Sequence, residues 1–288
     1  MHFSGREFSE TDLATVQTVV ATESLRMSRT QLSLRICDLL EWRKPNGTPK
    51  DQSCRQALLQ MQDEGLVHLP DARPSSRPGR RPFAFVTEPG SPVTGPAGAL
   101  DLSFDLVASK NESLIWGDFV ERYHYLGYRS LAGAQLRYFV RSAGRPIALL
   151  AFAAAAWTCA PRDQFIGWST EQRKAHLQLV VGNARFLILP WVQVRNLASR
   201  ILGQTVRRLR DDWQARYAYE PVLLETFVER ERYAGTCYKA ANWVHVGQTK
   251  GRGRCDRQHQ ASVPAKDIWL LPMTPDFRQR LCPDARAE

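Results

Sequence analysis

Apolar side chains recur every three or four positions in three segments of the first 65 residues, a period that predicts three amphipathic helices. Ser9, with Asp12 three residues later, and Ser28 stand where the N-caps of the first two helices are expected. Asp51 is placed to cap the third helix and Gly65 to end it. The positions expected to face inward are Leu13, Val16, Val20, Leu32, Ile36, Leu39, Leu40, Cys54, Leu58 and Met61.

A pattern typical of a two-stranded ribbon follows the three helices. Leu66 to Leu69 predicts one strand, residues 73–81 form a hairpin rich in proline and arginine, and Phe83 to Val86 predicts the returning strand. This order indicates a winged-helix-like domain over residues 1–86. Its basic and amide side chains suit contacts with DNA, although winged helices also bind proteins. The predicted DNA-binding residues of this domain are Lys50, Gln52, Arg55, Arg80 and Arg81.

Residues 87–100 are rich in proline and glycine, which predicts a linker. From residue 101 to 288 the patterns alternate in the order strand, helix, two hairpin strands, strand, long helix, strand, short helix and two final strands. Residues 158–176 interrupt this series as an insertion, and the long helix begins at about Asn196. The patterns therefore predict an α+β protein whose second domain, 101–288, contains a mixed sheet.

Composition adds an excess of positive charge. The chain carries 39 Lys and Arg against 29 Asp and Glu, with a formal charge of +10 and a pI of about 9.6. Such an excess favours a polyanionic partner, above all DNA. No apolar run has the length of a membrane span and no secretion signal opens the chain, so we expect a cytoplasmic protein without a membrane partner. The six cysteines form no C-x-x-C pair, which argues against a zinc ribbon or a disulfide framework, and we expect no metal site.

Long motifs along the chain carry a family resemblance. They are SRTQLSLRICDLLEWRKPNG (28–47), YHYLGY (123–128), RDQFIGWS (162–169), ARFLILPWVQVRNLAS (184–199), LLETFVE (223–229) and GTCYKAANWVHVGQTKGRGR (235–254). Together with the order of elements, they resemble the DruA proteins of Druantia anti-phage systems and, more widely, the GNAT acetyltransferase superfamily. The resemblance implies a GNAT-like second domain, a role in defence against phage, and partners among the other defence-system proteins. Members of the family also occur near or within mobile elements.

A second resemblance covers less of the chain. His124-Tyr125 together with residues 235–243 is similar to phage DNA-modification proteins of the Mom type, which are GNAT-like and act on adenine in DNA. Cys237 stands where an aliphatic residue is expected in those proteins. This departure leaves the equivalence of the chemistry open.

The GNAT resemblance points to a candidate acid on the predicted short helix. It implies that Tyr238 acts as general acid, since the pKa of a phenol lies near that of the thiolate that it protonates. A core tyrosine with one backbone partner is the alternative. Cys237 lies beside it at the predicted helix start, where basic neighbours favour a thiolate nucleophile; a structural thiol is the alternative.

Two further residues are candidates for proton transfer. His124 ends the first helix of the second domain, on the side that binds the acceptor in GNAT proteins, and is either a base near neutral pH or a capping histidine. Glu225 lies within an otherwise apolar strand, where a carboxylate needs a partner or a cleft. It is predicted to be either a general base or the ion-pair partner of Arg185.

The cofactor stays unknown at this point. CoA-dependent GNAT proteins carry a loop of the form Q/R-x-x-G-x-G/A before the long helix, where backbone amides hold the pyrophosphate. Here residues 190–199 contain no glycine, and bulky side chains stand in their place. This departure argues against plain acetyl transfer.

Basic residues of the second domain suggest a channel for nucleic acid. Residues 247–254 form a glycine- and arginine-containing loop, in which glycine allows close approach to phosphate and arginine clamps it. Arginines also follow one another on the long helix, and an indole nearby provides a surface for base stacking. The predicted DNA-binding residues of this domain are Arg185, Arg207, Arg208, Trp243, Lys250, Arg252 and Arg254.

Three hypotheses follow for the activity. The first is a defence protein that binds DNA and modifies or cuts a nucleotide in the GNAT-like cleft, with Tyr238, His124 and Glu225 as proton-transfer or nucleophilic groups. The second is a catalytically inactive module that grips DNA and recruits other defence components. The third is an enzyme related to mobile elements, in which Cys237 or Tyr238 attacks a phosphodiester and thereby cleaves or transfers a strand.

Overall fold

A computed structural model of the chain describes residues 1–71, 90–251 and 263–283. The described chain forms two compact units, of which the first holds residues 1–71 and the second nearly all residues from 90 onward. Several predictions lie outside the described residues. They are the hairpin with Arg80 and Arg81, the strand Phe83 to Val86, and the loop arginines Arg252 and Arg254.

The first unit contains the three predicted helices. They are α1 (Glu10–Glu23), α2 (Arg29–Leu39) and α3 (Asp51–Asp63), and a short hairpin of β1 (His2–Phe3) and β2 (Arg6–Glu7), which the sequence did not predict, precedes them. Ser9 and Ser28 both form capping boxes, as their positions predicted. The N-cap prediction for Asp51 is wrong. Lys50 is the N-cap residue of α3, without a side-chain cap bond, and Asp51 is already helical.

The three helices enclose a hydrophobic core of their own. Leu32, Ile36, Leu58 and Met61 are almost completely buried there, together with Cys54, which was predicted to face inward, and Cys37. Leu39 was expected to face inward and is instead 44% exposed. The predicted strand Leu66 to Leu69 pairs with no other strand among the described residues. The winged-helix assignment therefore stays a prediction, because the second half of its ribbon lies outside the described chain.

The second unit is an α+β structure built on a mixed sheet, as predicted. In chain order its elements are β3 (Val93–Thr94), a 3-10 turn (Ala97–Ala99), β4 (Ser103–Leu106), α4 (Lys110–Tyr123), β5 (Gln135–Ser142), β6 (Arg145–Ala154), α5 (Ala160–Ile166), α6 (Thr170–His176), a 3-10 turn (Leu177–Leu179), β7 (Val180–Ile188), β8 (Val192–Gln193), α7 (Leu197–Tyr217), β9 (Leu223–Glu229), α8 (Thr236–Ala240), β10 (Val244–Gln248), β11 (Lys266–Pro272) and α9 (Phe277–Leu281). The strand order in the seven-stranded sheet is β10-β11-β9-β7-β6-β5-β4. Neighbouring strands are antiparallel except β7 and β9, which are parallel.

A continuous apolar strand forms the middle of this sheet. Residues 147–153 of β6 are all buried, because both faces of the strand are covered, and this explains their unbroken hydrophobic run. The long helix α7 packs its predicted apolar face inward, with Leu202, Leu209 and Trp213 fully buried. The hydroxyl of Tyr138 on β5 donates to Asp212 of α7 at 2.9 Å, which ties the helix to the sheet. Within the described residues, no helix combines the length and the apolar character that a membrane span requires.

The capping box of α2 generates a stability prediction. In Ser28→Ala the amide of Gln31 loses its side-chain acceptor, and we expect the free energy of unfolding to fall by about 1 kcal/mol. Chemical denaturation of the full chain, followed by circular dichroism, measures the change. Ser53→Ala, the same exchange inside α3, is the control and should be neutral within about 0.5 kcal/mol. Equal effects of the two exchanges would contradict the capping role.

Candidate functional site

The parallel strands β7 and β9 part soon after they pair. Their register joins Val180, Val181 and Gly182 to residues 223–225, and no further pairs follow. Beyond that point side chains bridge the opening. The Tyr238 hydroxyl on α8 donates to Asn183 Oδ1 at 2.8 Å, and the Thr226 hydroxyl donates to the Asn183 carbonyl at 3.1 Å. A buried polar network thus fills the gap where the two strands separate, and no pattern in the sequence predicted the part that Asn183 plays in it.

Tyr238, the predicted general acid, lies inside this network. Its side chain is buried against the rings of Trp243 and Phe186, with centroids 5.1 and 6.5 Å away. Burial raises the pKa of its phenol above the usual value. Because its one hydrogen is donated to Asn183, this geometry supports the core-tyrosine alternative, and the catalytic role stays a prediction without support from the described contacts.

Glu225 binds Arg162 of the insertion rather than Arg185. Arg162 Nη1 donates to Glu225 Oε2 at 2.9 Å, and the Ala156 N–H donates to Oε1 at 2.7 Å. Both charged side chains are almost completely inaccessible to solvent. Since both carboxylate oxygens are occupied by the protein, the contacts give Glu225 a structural role, and its prediction as a general base gains no support.

The insertion provides a second carboxylate for the same arginine. Asp163 Oδ1 accepts from Arg162 Nε and Nη2 and from the Trp168 indole, at 2.8 to 3.0 Å, while Arg173 reaches Oδ2 at 3.2 Å. Burial alone would lower the pKa of Arg162, but the two carboxylates raise it. Arg162 is thus buried and paired with two carboxylates, of which Asp163 also pairs with Arg173.

Arg185 is half-buried and has no carboxylate partner within the described chain. Its Nη1 donates to the Ala184 carbonyl at 2.6 Å, and its Nε is buried without a hydrogen-bond partner. Burial lowers the pKa of its guanidinium, the positive charge of Arg129 lowers it further, and the Tyr125 phenol acts in the opposite direction. A cation held in this way is suited to a negatively charged ligand.

The motif YHYLGY forms a tight loop after α4. His124 caps the helix, as one of its two predicted roles required, because its N–H donates to the Val120 carbonyl at 3.1 Å. Its Nδ1 accepts from the Leu126 N–H at 3.2 Å, and its ring stacks on Tyr125. Gly127 adopts a φ of +58°, which lets the chain turn there.

These contacts determine the protonation of His124. Burial, together with the charge of Arg185, lowers the pKa of the imidazole to about 4. The ring is therefore neutral near pH 7, and because Nδ1 accepts the Leu126 N–H, the proton resides on Nε2. In this state Nε2 is a hydrogen-bond donor, which does not suit the predicted role as a base.

Cys237 lies partly buried in the short helix α8. Burial raises the pKa of its thiol, whereas the predicted nucleophile requires a lowered value. Of the basic neighbours that were expected to favour a thiolate, Arg252 and Arg254 lie outside the described residues. The described surroundings support the structural-thiol alternative.

A cavity of about 520 Å³, here called the α8 cavity, opens beside α8, β10 and β11. The Trp243 and Trp269 indoles, 3% and 7% exposed, form its apolar floor. Arg230, Thr236, Lys239, His245 and Gln248 are exposed at its rim, and Asp267 also lines it. Asp267 Oδ1 lies 3.3 Å from His245 Nε2. Of the residues predicted to bind DNA, the structure thus brings Trp243 into a cavity, and the exposed Lys250 follows two residues after β10.

The remaining predicted DNA-binding residues lie on two separate helices. On α3, Gln52 is exposed, Lys50 is half-buried, and Arg55 is paired with Asp51 at 3.0 Å. On α7, Arg207 and Arg208 are both exposed, and Arg208 is paired with an aspartate one turn later. Arg207 makes no ion pair within the described part of the chain.

The loop before α7 does not fit a pyrophosphate group. Strand β3 pairs in parallel with β8 there, and the Val93 N–H donates to the Trp191 carbonyl at 2.9 Å. Trp191 also packs against the rings of Phe119 and Tyr123. Arg200, in the first turn of α7, donates to the carbonyls of Ala97 and Leu100. The segment 93–100, predicted as part of a linker, thus pairs with β8 and contacts the first turn of α7, so bulky side chains and paired backbone groups surround this loop.

Comparisons with known proteins identify a family and several solved structures that are similar to this chain. Residues 87–269 match the family described as Druantia protein DruA. No curated protein matched the chain. Among the described residues, no three His, Cys, Asp or Glu side chains converge to hold a metal ion.

Several solved acetyltransferases are similar to the chain in structure. The ribosomal-protein-S18-alanine N-acetyltransferase of Escherichia coli is 10% identical, with 60% of this chain and 95% of that chain covered and a TM-score of 0.38. A spermidine N-acetyltransferase SpeG chimera from Vibrio cholerae and hSSAT is also 10% identical, with the same coverage and a TM-score of 0.39. The aminoglycoside acetyltransferase AAC(6')-Ib in complex with coenzyme A is 12% identical, covers 62% and 98%, and has a TM-score of 0.41. These scores are too low to support a conclusion about fold or activity.

The buried pair of Glu225 and Arg162 generates a second stability prediction. In Glu225→Ala the guanidinium keeps only one carboxylate partner in a dry environment, and we expect the free energy of unfolding to fall by about 3 kcal/mol or more. Chemical denaturation measures the loss. Asp105→Ala removes a half-exposed carboxylate from its ion pair with Arg141 and should cost less than about 1 kcal/mol. If the two exchanges cost the same, the buried pair does not have the role given to it here.

The lowered pKa of His124 generates a pH prediction. The folded chain binds this proton more weakly than the unfolded chain, so the stabilising contribution is complete above pH 6.5 and is lost as the pH falls towards 4. The loss amounts to at most about 3 kcal/mol. His124→Asn keeps an acceptor for the Leu126 N–H and cannot titrate, so the variant should lose less stability between pH 7 and 5 in urea unfolding. Identical pH profiles for the two proteins would refute this assignment.

Proposed function

The chain belongs to the DruA family, and from this premise we propose that it is the DNA-binding component of a Druantia-type anti-phage system. In this proposal the second unit, GNAT-like in the order of its elements, grips DNA at the α8 cavity. Other proteins of the defence system are its partners. The first unit, with its exposed α3, is proposed to add DNA contacts as a winged-helix-like domain.

The composition of the α8 cavity carries the proposal. Arg230 and Lys239 bring two cations to the rim, and Trp243 and Trp269 provide an apolar indole floor. Cations neutralise phosphates, and aromatic surfaces receive bases, so the two together suit a nucleotide unit of a DNA strand. The volume of about 520 Å³ lies within the range of roughly 300–1,000 Å³ that is usual for ligand pockets.

The α8 cavity also provides hydrogen-bond acceptors and donors for a nucleobase. Asp267 lines the wall, and its carboxylate is of the type that accepts from an exocyclic amino group. Thr236 and Gln248 are exposed and provide hydroxyl and amide groups that both donate and accept. The α8 cavity thus contains the kinds of groups that hold a nucleobase by its edge, above an apolar floor.

The contacts of the candidate catalytic residues support a DNA-gripping role better than a catalytic one. Tyr238 donates its hydrogen to Asn183, Glu225 is fully paired, and the pKa of the Cys237 thiol is raised. The competing proposals, modification of DNA in the cleft and strand cleavage through Cys237 or Tyr238, each require one of these groups to be released. We therefore propose a DNA-gripping module that recruits partners as the function the geometry supports best.

Charge reversal at the rim tests the proposal. For Lys239→Glu and Arg230→Glu we expect the affinity for duplex or single-stranded DNA to fall about tenfold each, because a phosphate contact becomes repulsive. The slope of log K against log salt should also become less steep by about one for each lost contact. Fluorescence anisotropy with a labelled oligonucleotide at several salt concentrations measures both quantities.

Lys174→Glu is the matched control for these reversals. Lys174 is exposed on α6 and does not line the α8 cavity, so its reversal changes the net charge equally. A loss of affinity as large as that of Lys239→Glu would reduce the proposal to a general charge effect and thereby overturn it. Denaturing gels and nucleoside mass spectrometry of the same incubations should show unchanged DNA; a covalent adduct that disappears in Cys237→Ala would favour strand transfer instead.

A further inference from the structure

A second, smaller cavity lies between α4, the start of β5 and the loop that follows YHYLGY. Its volume is about 210 Å³, and we call it the α4 cavity. Its polar lining is provided by Ser113, Arg129, Ser130, Gln135 and Arg137, with Trp116 as an aromatic wall. It shares no lining residue with the α8 cavity, and no Asp or Glu lines it.

Arg137 is held in a fixed orientation in this cavity. Its Nη1 donates to Ser113 Oγ at 2.9 Å, and its guanidinium lies over the Trp116 ring at 5.5 Å. Trp116 is itself fixed, since it is buried and donates its indole N–H to the Tyr138 carbonyl at 3.2 Å. Only one hydrogen bond of the guanidinium is used in this way, so its other N–H groups remain for a ligand.

The two arginines that line the α4 cavity have no carboxylate partner among the described residues, whereas other arginines of the same unit do. Arg162 binds Asp163 and Glu225, Arg141 binds Asp105, and the three pairs lie at 2.8 to 2.9 Å. Within the described residues, Arg129 and Arg137 take part in no ion pair. The carboxylate that supports the neighbouring loop, Glu121, accepts the Tyr128 N–H at 2.7 Å.

Arg129 extends the positive charge towards a third arginine. It lies close enough to the half-buried Arg185 for its charge to lower the pKa of that guanidinium, which itself has a buried Nε without a partner. Like charges that gather without a carboxylate destabilise the folded chain unless an anion joins them. The arrangement is therefore the one expected of a site that binds an anionic group.

We propose that the α4 cavity is a phosphate-binding site, in which Arg137 and Arg129 clamp the group and the hydroxyls of Ser113 and Ser130 complete its hydrogen bonds. Two guanidinium groups and two hydroxyls provide more donors than one carboxylate accepts, whereas a phosphate accepts through three or four oxygens. A cavity of about 210 Å³ is below the range of roughly 300–1,000 Å³ for whole ligands, so it receives a single group. The phosphate belongs either to a DNA backbone or to a free phosphorylated small molecule.

The inference does not rest on the DNA proposal, and its test uses inorganic phosphate as the probe. Isothermal titration calorimetry and thermal unfolding of the full chain are performed with sodium phosphate against sodium chloride of equal ionic strength. We expect phosphate to raise the unfolding temperature of the wild-type chain by a few degrees, since a ligand that binds only the folded state stabilises it. Absence of binding at tens of millimolar phosphate overturns the proposal.

Variants then assign the binding to the cavity. Arg129→Gln and Arg137→Lys should each weaken the phosphate affinity at least about tenfold, the second because lysine cannot form the bidentate clamp. Arg129 is exposed, so its variant should fold normally, which circular dichroism without phosphate verifies. Lys110→Gln, an exposed lysine on the same helix as Ser113 that lines neither cavity, should leave the affinity unchanged. Unaltered phosphate binding in both arginine variants overturns the proposal.

A final comparison identifies the source of the phosphate and separates the two proposals. If an oligonucleotide displaces phosphate from the wild-type chain, the site binds the DNA backbone; if phosphate stays bound at saturating DNA, a small phosphorylated ligand is its partner. Both outcomes require the site. Lys239→Glu should lose DNA affinity and keep the phosphate affinity of the wild type, so failure of DNA binding alone leaves the α4 cavity supported. Loss of phosphate binding in Lys239→Glu would overturn its assignment to this cavity.

Discussion

The buried ion pair of Arg162 and Glu225 is the interaction on which the organisation of the second unit depends. It joins the insertion between β6 and β7 to strand β9, 63 residues further along the chain. A complete buried ion pair stabilises the folded chain little more than apolar packing does. A buried charge without its partner is strongly destabilising, however, so the fold must keep the two side chains in contact. β9 and the insertion therefore lie in one relative position, and the divergence of β7 from β9 begins at the residue that pairs with Glu225.

The gap between β7 and β9, which begins beside this ion pair, is filled by side chains of the protein itself. Asn183, Thr226 and Tyr238 close it with hydrogen bonds among themselves, and the segment 93–100 covers the start of α7. The hydrogen-bonding groups of these three side chains are thus used inside the protein. The α8 and α4 cavities lie towards the two ends of the sheet, beside β10 and β11 and beside β5, and both have arginine or lysine in their lining.

The sequence predicted the features that depend on near neighbours. The capping boxes of Ser9 and Ser28, the apolar run of β6 and the order of elements all follow from residues a few positions apart, and the structure has them. Partners that lie far apart in the chain were not predictable. Arg162 and Arg185 are both arginines in mixed surroundings, and only the register of the strands decides that the first meets Glu225 and the second meets no carboxylate among the described residues. For the same reason Tyr238 was predicted as an acid although its partner, Asn183, lies 55 residues away.

The protonation states of the buried groups favour a gripping role on physical grounds. Burial raises the pKa values of Tyr238 and Cys237 and lowers that of His124, so all three are neutral near pH 7. A catalyst for proton transfer needs groups whose pKa lies near the working pH, whereas a surface that holds a polyanion needs charges that do not titrate. Arginine meets the second requirement at any physiological pH, and within the described residues Arg129, Arg137 and Arg207 take part in no ion pair. Neutral interior groups beside permanent surface cations are thus the combination on which the proposed DNA-gripping role depends.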